Sequence, residues 1–85
     1  MKVTILFFAA LREQLGRPRE ELELPATIGT VGALRDHLRA RGGPWASAFA
    51  PNRPVRAAVN QEMVQPAAAI KAGDEVAFFP PVTGG

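Results

Sequence analysis

The last two residues of the sequence, Gly84 and Gly85, form the segment best suited to chemistry. A carboxylate at a chain end is a poor electrophile, but ATP converts it into a mixed anhydride with AMP, which sulfur or amine nucleophiles then displace. Two glycines also lack every Cβ that would collide in the narrow site of another enzyme. The pair therefore predicts either a reactive tail or an inert terminus that happens to contain glycine.

The side chains of conventional catalytic sites are scarce in this sequence. It has one histidine, one serine and neither cysteine nor tyrosine. Asp36 and His37 are neighbours and would point about 100° apart on a helix, while Ser47 lies beyond a Gly-Gly-Pro break. This spacing favours neither a catalytic triad nor a metal site.

Two other groups of residues invite a functional reading that local structure explains better. Glu20, Glu21 and Glu23 fall in an alternating segment, so we expect them to lie on the solvated face of a strand. Gly42-Gly43 lacks the GxxxxGK pattern of a phosphate loop, and its position predicts the end of a helix instead.

Composition limits the classes of protein that remain. The chain has 85 residues, of which 47% are apolar and 21% are charged, with a net charge of +2. These values predict one small domain, a weak electrostatic field and no nucleic-acid partner. The absence of cysteine gives no sign of an oxidising compartment, and no apolar run reaches the roughly 20 residues of a membrane span. We therefore expect a cytoplasmic protein without a membrane partner.

The elements that must position the tail follow from hydrophobic periodicity. Residues 2–8 and 75–79 are almost continuously apolar, which predicts two central strands, and residues 19–24 alternate as a half-exposed strand does. Residues 9–15 favour a short helix that ends at Gly16. Thr30 is suited to cap the main helix.

The main helix has apolar residues at Val31, Leu34 and Leu38, a narrow stripe that should lie across one face of a sheet. Trp45 and Phe49 predict a helical turn packed against the core. A hairpin should follow, with strands at residues 55–59 and 63–64. The order of elements predicts an α+β domain with a mixed sheet.

Four segments carry a resemblance to a known family. They are ILFFAALREQLG near the start, TVGALRDHL in the main helix, AAVNQ in the hairpin and GDEVAFFPPVTGG at the end. In this order they resemble the small, sulfur-carrying subunits of molybdopterin synthases. The last segment is the most specific to this family, and only residues 42–54 are uninformative about the resemblance.

The resemblance implies a ubiquitin-like β-grasp fold, with residues 1–80 as the domain and 81–85 as a flexible, reactive tail. It implies that an adenylating enzyme of the ubiquitin-activating type consumes ATP to adenylate Gly85, beside Gly84. A sulfur donor then converts Gly85 into a thiocarboxylate. The ionised sulfur attacks a pterin precursor in the large subunit, and two transfers build the dithiolene of molybdopterin. The chain would thus be a non-catalytic carrier, with no permanently bound cofactor or metal, in an assembly of two small and two large subunits.

The surface around the tail is the expected docking site for the large subunit and the activating enzyme. If the first and last strands are parallel neighbours, alternation exposes two aromatic rings together on the face opposite the helix. Exposed aromatic rings beside a reactive tail anchor an interface. The predicted partner-binding residues are Phe8, Phe79, Pro80, Pro81, Val82, Thr83 and Arg56.

Other functions remain open at this stage. A related carrier that feeds sulfur into thiamine or transfer-RNA thiolation, or a ubiquitin-like protein modifier, would use the same tail chemistry. A plain interaction domain with an inert tail would tolerate replacement of Gly85.

Overall fold

Two parallel strands, β1 (Lys2–Phe7) and β5 (Glu75–Phe79), form the centre of the fold in the computed structural model, which describes residues 1–81. β2 (Arg19–Glu23) pairs with β1 and β3 (Arg56–Val59) with β5, both antiparallel. β4 (Glu62–Val64) pairs with β3, which gives the order β2-β1-β5-β3-β4. The first and last strands therefore lie inside the sheet, as predicted.

The main helix, α2 (Val31–Arg39), begins as its sequence predicts. The Thr30 hydroxyl oxygen accepts a hydrogen bond from the Ala33 N–H at 3.1 Å, which satisfies one of the free donors of the first turn. Val31, Leu34 and Leu38 are buried. This apolar stripe joins the core that covers one face of the sheet.

Two shorter helices complete the covered face. α1 (Ala9–Leu15) ends at Gly16, whose φ of 76° is the left-handed conformation that favours glycine. α3 (Pro44–Ala48) is the predicted helical turn. The Phe49 ring after it is fully buried and lies 5.2 Å from the Phe78 ring, edge to face.

The hairpin between β3 and β4 turns at Asn60 and Gln61, which have φ values of 50° and 71°. Positive φ at both central residues matches the right-handed twist of the flanking strands, and asparagine tolerates it better than most residues do. The predicted hairpin is therefore confirmed. Within residues 1–81, no helix is both long enough and apolar enough to cross a membrane.

The prediction for Glu20 was wrong. Glu21 and Glu23 are exposed on β2, but Glu20 shares the inner face with Leu22 and its side chain is only 15% exposed. Its two carboxylate oxygens accept hydrogen bonds from the Arg41 guanidinium at 2.9 and 2.5 Å. Glu20 therefore belongs to an ion pair that links β2 to the segment after α2.

Candidate functional site

The tail leaves the domain directly from the central strand β5. Pro80 and Pro81 follow Phe79 and are half-buried. Neither proline can donate to a sheet ladder, so strand pairing stops here. The other predicted tail residues, Val82, Thr83, Gly84 and Gly85, lie outside the described residues.

Phe8 lies beside this exit. It follows β1 directly, and its backbone N–H donates to the Phe78 oxygen at 3.1 Å, so it is fastened to the neighbouring strand. Its own carbonyl accepts from Leu11 in α1. Phe8 is nevertheless 46% exposed, which is unusual for a large apolar residue.

Phe79, at the end of β5, and Arg56, in the neighbouring strand β3, lie on the side of the exit away from Phe8. The two residues are register partners in the β5–β3 ladder, so their side chains emerge on the same face of the sheet. Phe78 is buried on the helix side, and alternation therefore places Phe79 on the open face. Arg56 is exposed, but Phe79 is half-buried, so the two predicted aromatic rings are unequally accessible.

The open face also carries apolar side chains that the sequence analysis did not select. Ladder partners cross the sheet in one row, which consists of Leu6, Ala77, Ala58 and Met63. Met63 is 57% exposed at the end of the row. The alternation of the hairpin strands was the available signal, because a residue opposite Ala58 must share its face.

The described residues show where the site's chemistry does and does not lie. Among residues 1–81, no three histidine or acidic side chains are grouped as metal ligands would be. Phe8, Phe79, Arg56 and Pro81 surround the point where the tail begins. This arrangement suits a surface that presents a tail to another protein.

Comparisons with known proteins agree with this arrangement. The model of the ThiS family matches residues 5–85. The chain is 46% identical over 83 residues to the molybdopterin synthase sulfur carrier subunit of Escherichia coli, covering 98% of this chain and 99% of the relative. It is 41% identical to the subunit of the same description from Haemophilus influenzae, with the same coverage.

A solved structure shares the fold along the full chain. The crystal structure of SAMP1 from Haloferax volcanii aligns with a TM-score of 0.75 at 26% identity and covers 100% of both chains. The mixed sheet crossed by a helix is therefore the β-grasp arrangement that the resemblance implies.

Proposed function

The chain belongs to the ThiS family, and we propose that it acts as the sulfur carrier subunit of a molybdopterin synthase. The observation that carries this proposal is the match, over nearly the whole length of both chains, to relatives that bear this description. The residues FFPPVTGG contain the Gly84-Gly85 pair on which the proposed chemistry depends.

The reacting atom of the carrier is the carboxyl carbon of Gly85. An oxygen of the Gly85 carboxylate attacks the α-phosphorus of ATP in the adenylating enzyme and displaces pyrophosphate, which leaves an acyl-adenylate. A sulfur nucleophile then attacks the carbonyl carbon and displaces AMP, which leaves a thiocarboxylate. Gly84 and Gly85 permit this chemistry in a narrow site because they carry no side chains.

The thiocarboxylate then transfers its sulfur within the large subunit. It is ionised at neutral pH, and its soft sulfur attacks a carbon of the pterin precursor, forming a carbon–sulfur bond as a carbon–oxygen bond of the precursor breaks. Water then hydrolyses the thioester that joins the two, which leaves the sulfur on the pterin and returns the plain carboxylate for another cycle. Two transfers supply the two sulfur atoms of the dithiolene. The carrier therefore contributes a reactive group and a surface that its partners recognise. The large subunit and the activating enzyme contribute the catalytic sites.

The folded domain presents the tail to those partners through the surface around Phe8, Phe79 and Arg56. An exposed aromatic ring and a cation next to the tail's first residues suit an interface with an apolar centre and a polar rim. Val82 and Thr83, which lie outside the described residues, are proposed as further partner-binding residues. The assembly contains two small and two large subunits.

A protein modifier is the second candidate, because the tail chemistry is shared and a structural relative of the chain is named SAMP1, a small archaeal modifier protein. In that case an amine displaces AMP and the chain becomes attached to another protein. A carrier for thiamine or transfer-RNA thiolation differs only in the recipient of the sulfur.

The proposal is tested by reconstitution. The thiocarboxylated chain is mixed with purified large subunit and the pterin precursor, and molybdopterin is detected as its fluorescent oxidation product. We expect up to one sulfur transferred per chain and regeneration of the plain carboxylate. Sulfur that stays on the chain in this mixture, or attachment of the chain to lysines instead, would contradict the proposal.

A further inference from the structure

Residues 50–54 form a loop between α3 and β3 that its own backbone holds only weakly. Two of its five residues are prolines, which have no N–H to donate. Among residues 1–81, the loop's N–H groups form two backbone hydrogen bonds, both to oxygens three residues earlier: Ala50 to Ser47 at 3.4 Å and Arg53 to Ala50 at 2.9 Å. The position of the loop therefore depends on side chains.

Arg35, on α2, supplies that support. Its guanidinium donates to the Ala50 oxygen at 2.6 Å, the Arg53 oxygen at 2.7 Å and the Phe49 oxygen at 3.4 Å. A guanidinium is a planar group with several donors, so one side chain binds several carbonyls in a fixed geometry. Arg53 is held a second time, because its Nη1 donates to the Gln14 side chain at 2.6 Å. The loop is thus fastened to both α2 and α1.

This loop borders the exit of the tail. Pro81 lines one groove together with Arg35 and residues 51–55. The loop also leads into β3, whose first residue, Arg56, is the register partner of Phe79 at the end of β5. The position of the loop therefore decides which surface a partner meets beside Pro81.

We infer that Arg35 is a positioning residue for sulfur transfer, which holds the surface beside Pro81 in the shape that the large subunit binds. The inference rests on the proposed function, because it concerns the complex in which the tail reacts. A surface that is already ordered binds at a lower entropic cost than one that must be ordered on binding. Arg35 acts through the loop and not at Gly85, so its loss should weaken binding of the partner and leave the chemical step unchanged.

The test is a kinetic comparison of two variants of the full chain. Arg35→Gln removes the guanidinium, and Asp74→Ala, beside the end of β5 that lies away from the tail, is the control for loss of stability alone. The thiocarboxylated chains, in excess, transfer sulfur to the pterin precursor in purified large subunit, at a temperature at which circular dichroism shows them to be folded. We expect Arg35→Gln to raise KM for the carrier about fivefold with kcat within about twofold of wild type, and Asp74→Ala to change neither by more than about twofold.

Amide hydrogen exchange of the free chains checks the cause. The Arg53 amide donates to the Ala50 oxygen, and it should exchange about tenfold faster in Arg35→Gln than in wild type, but not in Asp74→Ala. Arg35→Lys keeps the charge without the planar fork, so its KM should lie between those of wild type and Arg35→Gln, and it replaces Arg35→Gln if that variant does not fold.

A KM in the Arg35 variants equal to that of wild type, or an equal rise in Asp74→Ala, would overturn the inference alone. No sulfur transfer by the wild-type chain would overturn the proposed function with it.

Discussion

The side-chain N–H of Asn60 donates to a carboxylate oxygen of Asp74 at 3.0 Å, which joins the hairpin turn to the start of β5. The Asn60 side-chain oxygen accepts from the Glu75 N–H at 3.0 Å, and the second Asp74 oxygen accepts from the Lys71 N–H at 2.9 Å. Asp74 is 5% exposed and has all of these partners. This pair fixes the beginning of the strand whose other end releases the tail.

Replacing the buried member of this pair should destabilise the fold. Asp74→Ala leaves the Asn60 amide and the Lys71 N–H without their acceptor, so we expect the free energy of unfolding to fall by about 1 to 3 kcal/mol. Urea denaturation measures it. Asp36→Ala, at an exposed helix position, should stay within about 0.5 kcal/mol of wild type. Equal losses in the two variants would contradict the role given to Asp74.

The Glu20 ion pair should make stability depend on pH. The hydrogen bonds from Arg41 lower the pKa of Glu20, and burial opposes this only in part. A carboxyl whose pKa is lower in the folded state stabilises the fold above its ordinary value of about 4.3, and this contribution is lost as the pH falls through the folded pKa.

Glu20→Gln is therefore expected to reduce the free energy of unfolding by about 1 to 2 kcal/mol at pH 7, with a difference that shrinks below about pH 4.3. Glu21→Gln, at an exposed position on the same strand, is the control and should have little effect at either pH. Urea denaturation at neutral and acidic pH measures both variants. A Glu20→Gln deficit that is the same at both values would show that the ion pair does not cause it.

The elements of the fold were predictable because their signals are local. The apolar runs of β1 and β5, the Thr30 cap and the Asn60 turn each depend on neighbouring residues in the sequence. The Glu20 partner was not predictable, because Arg41 lies 21 residues away and only the folded chain brings them together. The inward position of Glu20 was predictable, because strict alternation puts it on the same face as Leu22, and only its charge suggested solvent.

The site was predictable only in part, for the same reason. The alternation of side chains along the first and last strands predicted that Phe8 and Phe79 lie near the tail exit. Their different exposures depend on how neighbouring elements cover them.

Alanine variants of the neighbouring residues Phe7 and Phe8 should show that one residue stabilises the fold and the other binds the partner. Phe7 is 1% exposed in the core and Phe8 is 46% exposed at the proposed interface. Phe7→Ala should reduce the free energy of unfolding by about 3 to 5 kcal/mol. Phe8→Ala should reduce it far less, but weaken the complex with the large subunit by about tenfold or more. Calorimetry and urea denaturation measure the two quantities, and unchanged affinity in Phe8→Ala would remove it from the interface.

One residue added after Gly85 should abolish activation. If the proposed function holds, the extension moves the carboxylate and puts a side chain where the adenylating enzyme would receive Gly85. With a serine added, we expect no pyrophosphate release above background from ATP, the activating enzyme and the chain. The unextended chain is the positive control, and an extended chain that is activated at the same rate would refute the proposed terminal chemistry.

Intact-protein mass spectrometry of the untagged chain tests the central claim most directly. The chain is incubated with activating enzyme, ATP and a sulfur donor, and its mass is compared with that of a sample lacking ATP. Exchange of one carboxylate oxygen for sulfur at Gly85 predicts a gain of about 16 Da, localised by fragmentation to the last residue. An unchanged mass, under conditions in which the same enzymes charge the Escherichia coli relative, would contradict the account of this chain as a sulfur carrier.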